Sequence, residues 1–235
     1  MNAVTPPPSI DPITFTVIWN SIVSIAEELG TTMRHTAFSE AVREGDDFST
    51  AVFDAKGRMI SQGNFSPGHL GSMPFVIRHV EKAFPPETLK PGDAIMLNDS
   101  WMGSGHFPDV FQIMPVFDDE ASLIGYVGAS AHQMDMGGAA PGSQKVHGVT
   151  ESFQEGIRIL PVRFCREGVV DQDILRLILG NVRVPDKVRG DMMAQHTANL
   201  TAAERFRQLS RDQGRERVEA VFDQILDRSE ERMRA

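Results

Sequence analysis

What this chain has little of narrows its reading first. Cys165 is the only cysteine in 235 residues, so no intrachain disulfide can form, and a reducing compartment is the simpler home for such a chain. The thiol sits in the strand-like run Val162-Arg163-Phe164-Cys165, which suits a buried structural residue better than a nucleophile. No apolar stretch approaches the ~20 residues that span a bilayer. Met1 to Ser9 carries three consecutive prolines where a secretory signal would have a basic region and an apolar core. Basic residues are the minority, 23 against 32 acidic, and the net charge of -9 argues against nucleic acid or an anionic membrane as the main partner. A cytoplasmic protein is expected. There is no G-x-x-x-x-G-K-S/T phosphate loop, since Gly103-Ser104-Gly105 lacks the following lysine, so no nucleotide site of its own is expected.

What is present is an ordinary globular composition, 41% hydrophobic and 23% charged, with length for one substantial core or two small domains. Residues 1–10 read as a disordered proline-rich arm, 11–170 as a mixed α/β (α+β) domain and 171–235 as a helical region. Asp11-Pro12 is an N-cap followed by proline at the first helical position, and Ile18, Ile22, Ile25, Leu29 and Met33 give that helix one buried stripe. Phe48 to Phe53 and Met59-Ile60 flank a polar turn with Gly57, a hairpin pattern. A second helix starts at Ser72, and Ala94 to Leu97 is a short buried strand. Pro185 opens a long helical stretch that Gly214 divides. Beyond it, Val218, Val221, Phe222, Ile225 and Leu226 form an apolar stripe that needs a partner. The expectation is an N-terminal helix, central β-hairpins or a mixed sheet, and long C-terminal helices.

The chemistry concentrates in two segments, Gly103 to Asp109 and Ser130 to Gly138. Between them lie an apolar run from Val110 to Phe117, the polar turn Asp118-Asp119-Glu120 and a second apolar run from Leu123 to Ala129, which together read as one hairpin. In an antiparallel pair centred near Glu120, facing positions sum to about 240, so Asp109 falls opposite the neighbourhood of His132 at a Cα spacing of about 5 Å. His106, three residues before Asp109 in a glycine-rich loop, approaches from the side. Two imidazoles and a carboxylate at one strand end suit a divalent transition metal, Zn, Mn or Fe, with positions left for water or substrate. The same donor set is the facial triad of non-haem Fe(II) oxygenases, so the chemistry remains open on these residues alone. Asn98 and Asp99 either orient His106 or cap its loop.

Several short motifs in order resemble the N-terminal part of the hydantoinase B/oxoprolinase family: Asp11-Pro12-Ile13-Thr14, Asp47-Phe48-Ser49, His69-Leu70-Gly71-Ser72-Met73, Leu97-Asn98-Asp99, Gly105-His106-Phe107-Pro108-Asp109, His132 to Gly138 and Glu155-Gly156-Ile157-Arg158. The resemblance implies a metal held by His106, Asp109 and His132 with Asp47 added upstream, and Asp135 or Asp99 as orienters or proton acceptors. It also implies a hydantoinase A-type partner in a hetero-oligomer. That partner binds ATP and phosphorylates the carbonyl oxygen of a hydantoin, oxoproline or lactam, and the metal-bearing chain hydrolyses the intermediate. An ATP-dependent ketone carboxylase on the same scaffold and a non-catalytic assembly fragment are the competing readings. Two departures stand out. Many relatives carry a second histidine where this chain has Gln133, and members of the family are longer, so a split subunit or a truncation is expected.

Overall fold

The computed structural model describes residues 10–103, 105–145 and 147–235. Most of the proline-rich arm, residues 1–9, therefore lies outside the described residues, whereas Ile10 packs against the core.

The first helix, α1 (Pro12–Thr36), starts where its cap dictates. Asp11 accepts hydrogen bonds from the backbone N–H groups of Ile13 and Thr14, and Pro12 occupies the first turn. A short α2 (Glu40–Arg43) leads into β1 (Phe48–Asp54) and β2 (Met59–Gln62), followed by α3 (Met73–Ala83) and β3 (Ala94–Leu97). The long hairpin β4 (Asp109–Phe117) and β5 (Leu123–His132) comes next, then β6 (Val162–Arg166), β7 (Val169–Val170), α4 (Gln172–Leu179), α5 (Pro185–Gln213) and α6 (Arg215–Arg234). Gly214 divides the last two helices at φ 83°, a left-handed value that glycine adopts without a Cβ penalty.

Among the described residues, seven strands form one sheet in the order β2-β1-β5-β4-β3-β6-β7. Every described pairing is antiparallel, so the hairpin form of the expectation is the one realised. Alternation of side chains along each strand gives the sheet two apolar faces. One face, with Phe48, Val52, Val110, Met114, Val127 and Ala129, packs against α1, α5 and α6. The other, with Ala51, Phe53, Ile95, Phe111, Ile113 and Tyr126, packs beneath α3. The helical segment from α4 onward shares the first of these cores with α1 and the strands. The α6 stripe finds its partner inside the chain, since Val218, Val221, Phe222 and Ile225 are buried in the same core. Polar contacts fasten α5 as well: the Gln195 amide donates to the carbonyls of Val110 and Ala129 on the two strands of the long hairpin, at 2.9 and 2.7 Å.

Among the described residues no helix is long and apolar enough to cross a membrane. Cys165 is fully buried on β6, and that burial pushes its thiol pKa up, against use as a nucleophile.

Candidate metal centre

The site forms where three adjacent strands reach the same end of the sheet. Pairing of β4 with β5 sets Asp109 directly opposite His132, as the hairpin reading predicts. On the other side of β5, β1 pairs Phe48 with Ala131, and the ladder continues one residue further through the bond from His132 N to Asp47 O at 3.0 Å. Asp47, His132 and Asp109 therefore stand in one row, on the face that α3 covers.

Asp109 is the centre of this row, and it is 4% exposed. Its Oδ1 receives His106 Nε2 at 2.8 Å and His132 Nδ1 at 3.1 Å. The two rings are 5.2 Å apart between centroids. Asp47 lies at the rim, half-exposed, with a carboxylate oxygen 3.9 Å from His132 Nδ1. Burial acts to raise the Asp109 pKa, but the hydrogen bonds from His106, His132 and His69 outweigh it and hold the carboxyl well below the usual carboxylate range. In return, the bond to Asp109 raises the His106 pKa, against the opposing effect of burial.

His69 is the residue that sequence reasoning left without a role. It stands at the foot of α3 with Nε2 3.0 Å from Asp109 Oδ2. Its motif is quoted above as part of the family pattern, yet no strand pairing ties it to the hairpin, so spacing gave no signal. The described residues thus gather three imidazoles and a buried anionic carboxylate. Ligand atoms of His106, Asp109 and His132 lie within 4.8 Å of one another, a nitrogen and oxygen donor set that fits a divalent transition metal.

The neighbouring polar residues organise the loops. Asn98 is fully buried; its amide donates to Phe107 O at 2.6 Å and Ile157 O at 2.8 Å, and its carbonyl accepts from Ile159 N at 2.5 Å. It thereby fixes the backbone next to His106. Asp99, also buried, accepts from Trp101 N at 2.9 Å and pairs with Arg158. Asp135 is fully buried too, and is held by Gly137 N, the Arg183 backbone N–H and the Arg183 guanidinium. Arg183 also donates to Gly138 O at 2.7 Å. Gly138 has φ +72°, and a Cβ there would lie 2.4 Å from Gln154 O, so the segment after His132 is tightly packed. Gln133 is buried, and its N–H donates to Pro108 O at 2.8 Å, closing the hairpin one step past the site. Asp99 and Asp135 lie outside the ligand cluster, each engaged by an arginine. Ser104, in the loop before His106, is not among the described residues.

An antiparallel sheet between helical layers, with a histidine–carboxylate cluster at one end, defines a mixed α/β protein. The chain belongs to the hydantoinase B/oxoprolinase family, whose model matches residues 11–235. It is 31% identical to the hydantoinase B component of a putative D-/L-hydantoinase from a Pseudomonas species over 228 residues, 96% of this chain and 38% of that protein. Among solved structures it resembles the ATP-dependent caprolactamase of Pseudomonas jessenii, with TM-score 0.84 and 28% identity over 97% of this chain and 39% of that one. It shares its fold with an acetone carboxylase, at TM-score 0.81 and 22% identity, over 90% of this chain and 28% of that one. The chain spans about two-fifths of the length of the curated relatives it matches first, 40% and 38%.

Proposed function

We propose that this chain is the metal-bearing part of an ATP-dependent enzyme that hydrolyses a cyclic amide of the hydantoin, oxoproline or lactam type. The observation that carries the reading is the convergence of His106 and His132 on one oxygen of buried Asp109, in a family defined by hydantoinase B and oxoprolinase. His106, Asp109 and His132 would hold the cation, with Asp47 closing the site from the rim. A divalent cation bound there would supply Lewis acidity, lowering the pKa of a coordinated water towards about 7 or polarising an activated carbonyl carbon. Zn, Mn and Fe all suit the donors.

The chain's own residues define access and orientation. His106 is 35% exposed at its side chain and Asp47 46%, so the cluster opens towards solvent at its rim while Asp109 stays dry. Asp99 and Asp135 pair with Arg158 and Arg183, which supports a part in holding the neighbouring loops, apart from the residues that would hold the cation. A hydantoinase A-type partner in a hetero-oligomer is proposed to bind ATP and phosphorylate the carbonyl oxygen of the ring. Relatives that are named as parts of multi-chain enzymes, the hydantoinase B component and the caprolactamase beta chain, support this arrangement. The cytoplasm, which supplies ATP and keeps thiols reduced, is the proposed compartment.

Elemental analysis of the purified protein, repeated on His106→Ala and Asp109→Ala, tests the centre; equal metal content in all three samples ends the proposal. The reaction is tested in the reconstituted complex by following ring opening against ATP consumption. A ring-opened amino acid as product supports the hydrolase. Carbon from labelled bicarbonate fixed in a stable carboxylated product transfers the assignment to the ketone carboxylase reading.

A further inference from the structure

Only one oxygen of Asp109 faces His106 and His132. The other, Oδ2, faces His69 Nε2 at 3.0 Å, and the opposite ring nitrogen, Nδ1, lies 3.1 Å from Ser49 Oγ. Ser49 Oγ in turn donates to the Ser66 carbonyl at 2.5 Å. Ser49 sits on β1 two residues after Asp47, so its side chain points to the same face of the sheet. Ser49 is 0% exposed and His69 6%, and the Phe111 ring meets the His69 imidazole edge-on at 6.2 Å between centroids.

Serine, histidine and aspartate in a hydrogen-bonded line are the residue types of a nucleophilic relay. The geometry denies them that use. Ser49 has no surface that a substrate can reach, and a hydroxyl has one hydrogen to donate, which here is directed at Ser66 O. What the line does provide is a rigid strap that begins at the backbone and ends on the second carboxylate oxygen of Asp109.

Such a strap answers a definite need. The terminal torsion of an aspartate is broad and only weakly stepped, so nothing in the strand itself fixes the rotation of the Asp109 carboxylate. We propose that His69 is a positioning residue for the metal centre. Anchored through Ser49 to Ser66, it holds Oδ2 of Asp109 and thereby presents Oδ1 to the point where His106 and His132 converge. Partners that orient metal ligands in this way typically contribute 10–100-fold to metal affinity. The inference rests on the metal-site reading above.

The test uses the full chain, stripped of metal and titrated with Zn²⁺ against a chromophoric chelator, with the melting temperature of each metal-free form recorded alongside. Wild type, His106→Ala, His69→Ala, His69→Gln and Ser49→Ala are compared. His69→Ala is expected to bind Zn²⁺ about 10–100-fold more weakly than wild type. His69→Gln, whose amide can donate from near the Nε2 position, is expected to recover most of the loss, and Ser49→Ala to fall between. Binding by His69→Ala within about 2-fold of wild type overturns the inference. Failure of His69→Gln to improve on His69→Ala also overturns it, including where His69→Ala melts early, because the glutamine then shows that the donor is not what matters. If wild type takes up no Zn²⁺, or His106→Ala binds like wild type, the metal reading itself falls and takes the role of His69 with it.

Discussion

Asp109 and His132 face each other across the β4–β5 ladder, and His132 Nδ1 lies 3.1 Å from Asp109 Oδ1. The site is thus an extension of strand register. A slip of one residue would turn one of the two side chains to the opposite face of the sheet. Asp47 joins them only because β1 pairs along the other edge of β5.

The central carboxylate is expected to be the least replaceable ligand. Asp109→Asn keeps its shape but removes the charge that three imidazoles surround. Its loss should weaken metal binding by at least about 100-fold, the upper end of what partners of ligands contribute. Isothermal titration calorimetry of the metal-free protein measures this directly. Undiminished affinity would remove Asp109 from the centre.

The pH response follows from two opposite shifts. The His106 pKa is raised by its bond to Asp109, against burial, so its contribution to stability is full below the unfolded value near 6.5 and is lost as pH rises through the folded value. The Asp109 pKa is lowered, so its contribution is present above the unfolded value near 3.9 and is lost as pH falls towards the folded value. Metal-free protein should therefore melt highest between about pH 4 and 6.5. A cation competes with protons for the same nitrogen, so affinity should rise with pH across neutrality, and uptake at about pH 7 should release protons. Calorimetry in buffers of different ionisation enthalpy reads that release; an unchanged binding enthalpy would contradict it.

Asn98→Ala removes three hydrogen bonds of a buried side chain at once. Stranding their partners costs about 1–3 kcal/mol each, so a total loss of at least about 3 kcal/mol is expected, read from the denaturant midpoint. Because Asn98 holds the Phe107 carbonyl beside His106, metal affinity should fall with it. A stable variant with loosened metal binding would separate these two effects.

Removing Asp135 should act differently. Asp135→Ala leaves Arg183 without its buried carboxylate, and breaking a buried pair costs about 3–5 kcal/mol. Arg183 is 46% exposed at its side chain, so the lower end of that range is expected. In protein that remains folded, metal affinity should match wild type. A selective loss of ring opening in a stable, metal-loaded Asp135→Asn variant would instead assign it the proton-acceptor role.

Much of this molecule is written locally. The cap at Asp11, the helix opening at Pro185 and the break at Gly214 follow from what one residue permits its own backbone to do. The apolar runs on either side of Asp118-Asp119-Glu120 placed Asp109 opposite the neighbourhood of His132, because a short turn leaves an antiparallel ribbon little choice of register. Asp47 was legible only through family resemblance, and His69 carried no assigned role. Both reach the site from elements far away in sequence, and no local periodicity records which strand edge or helix foot will be adjacent. That choice was made when the two faces of the sheet were buried, α1, α5 and α6 on one side and α3 on the other. Packing of α3 brought His69 onto Asp109, and packing of the helical layer closed over the α6 stripe within the chain.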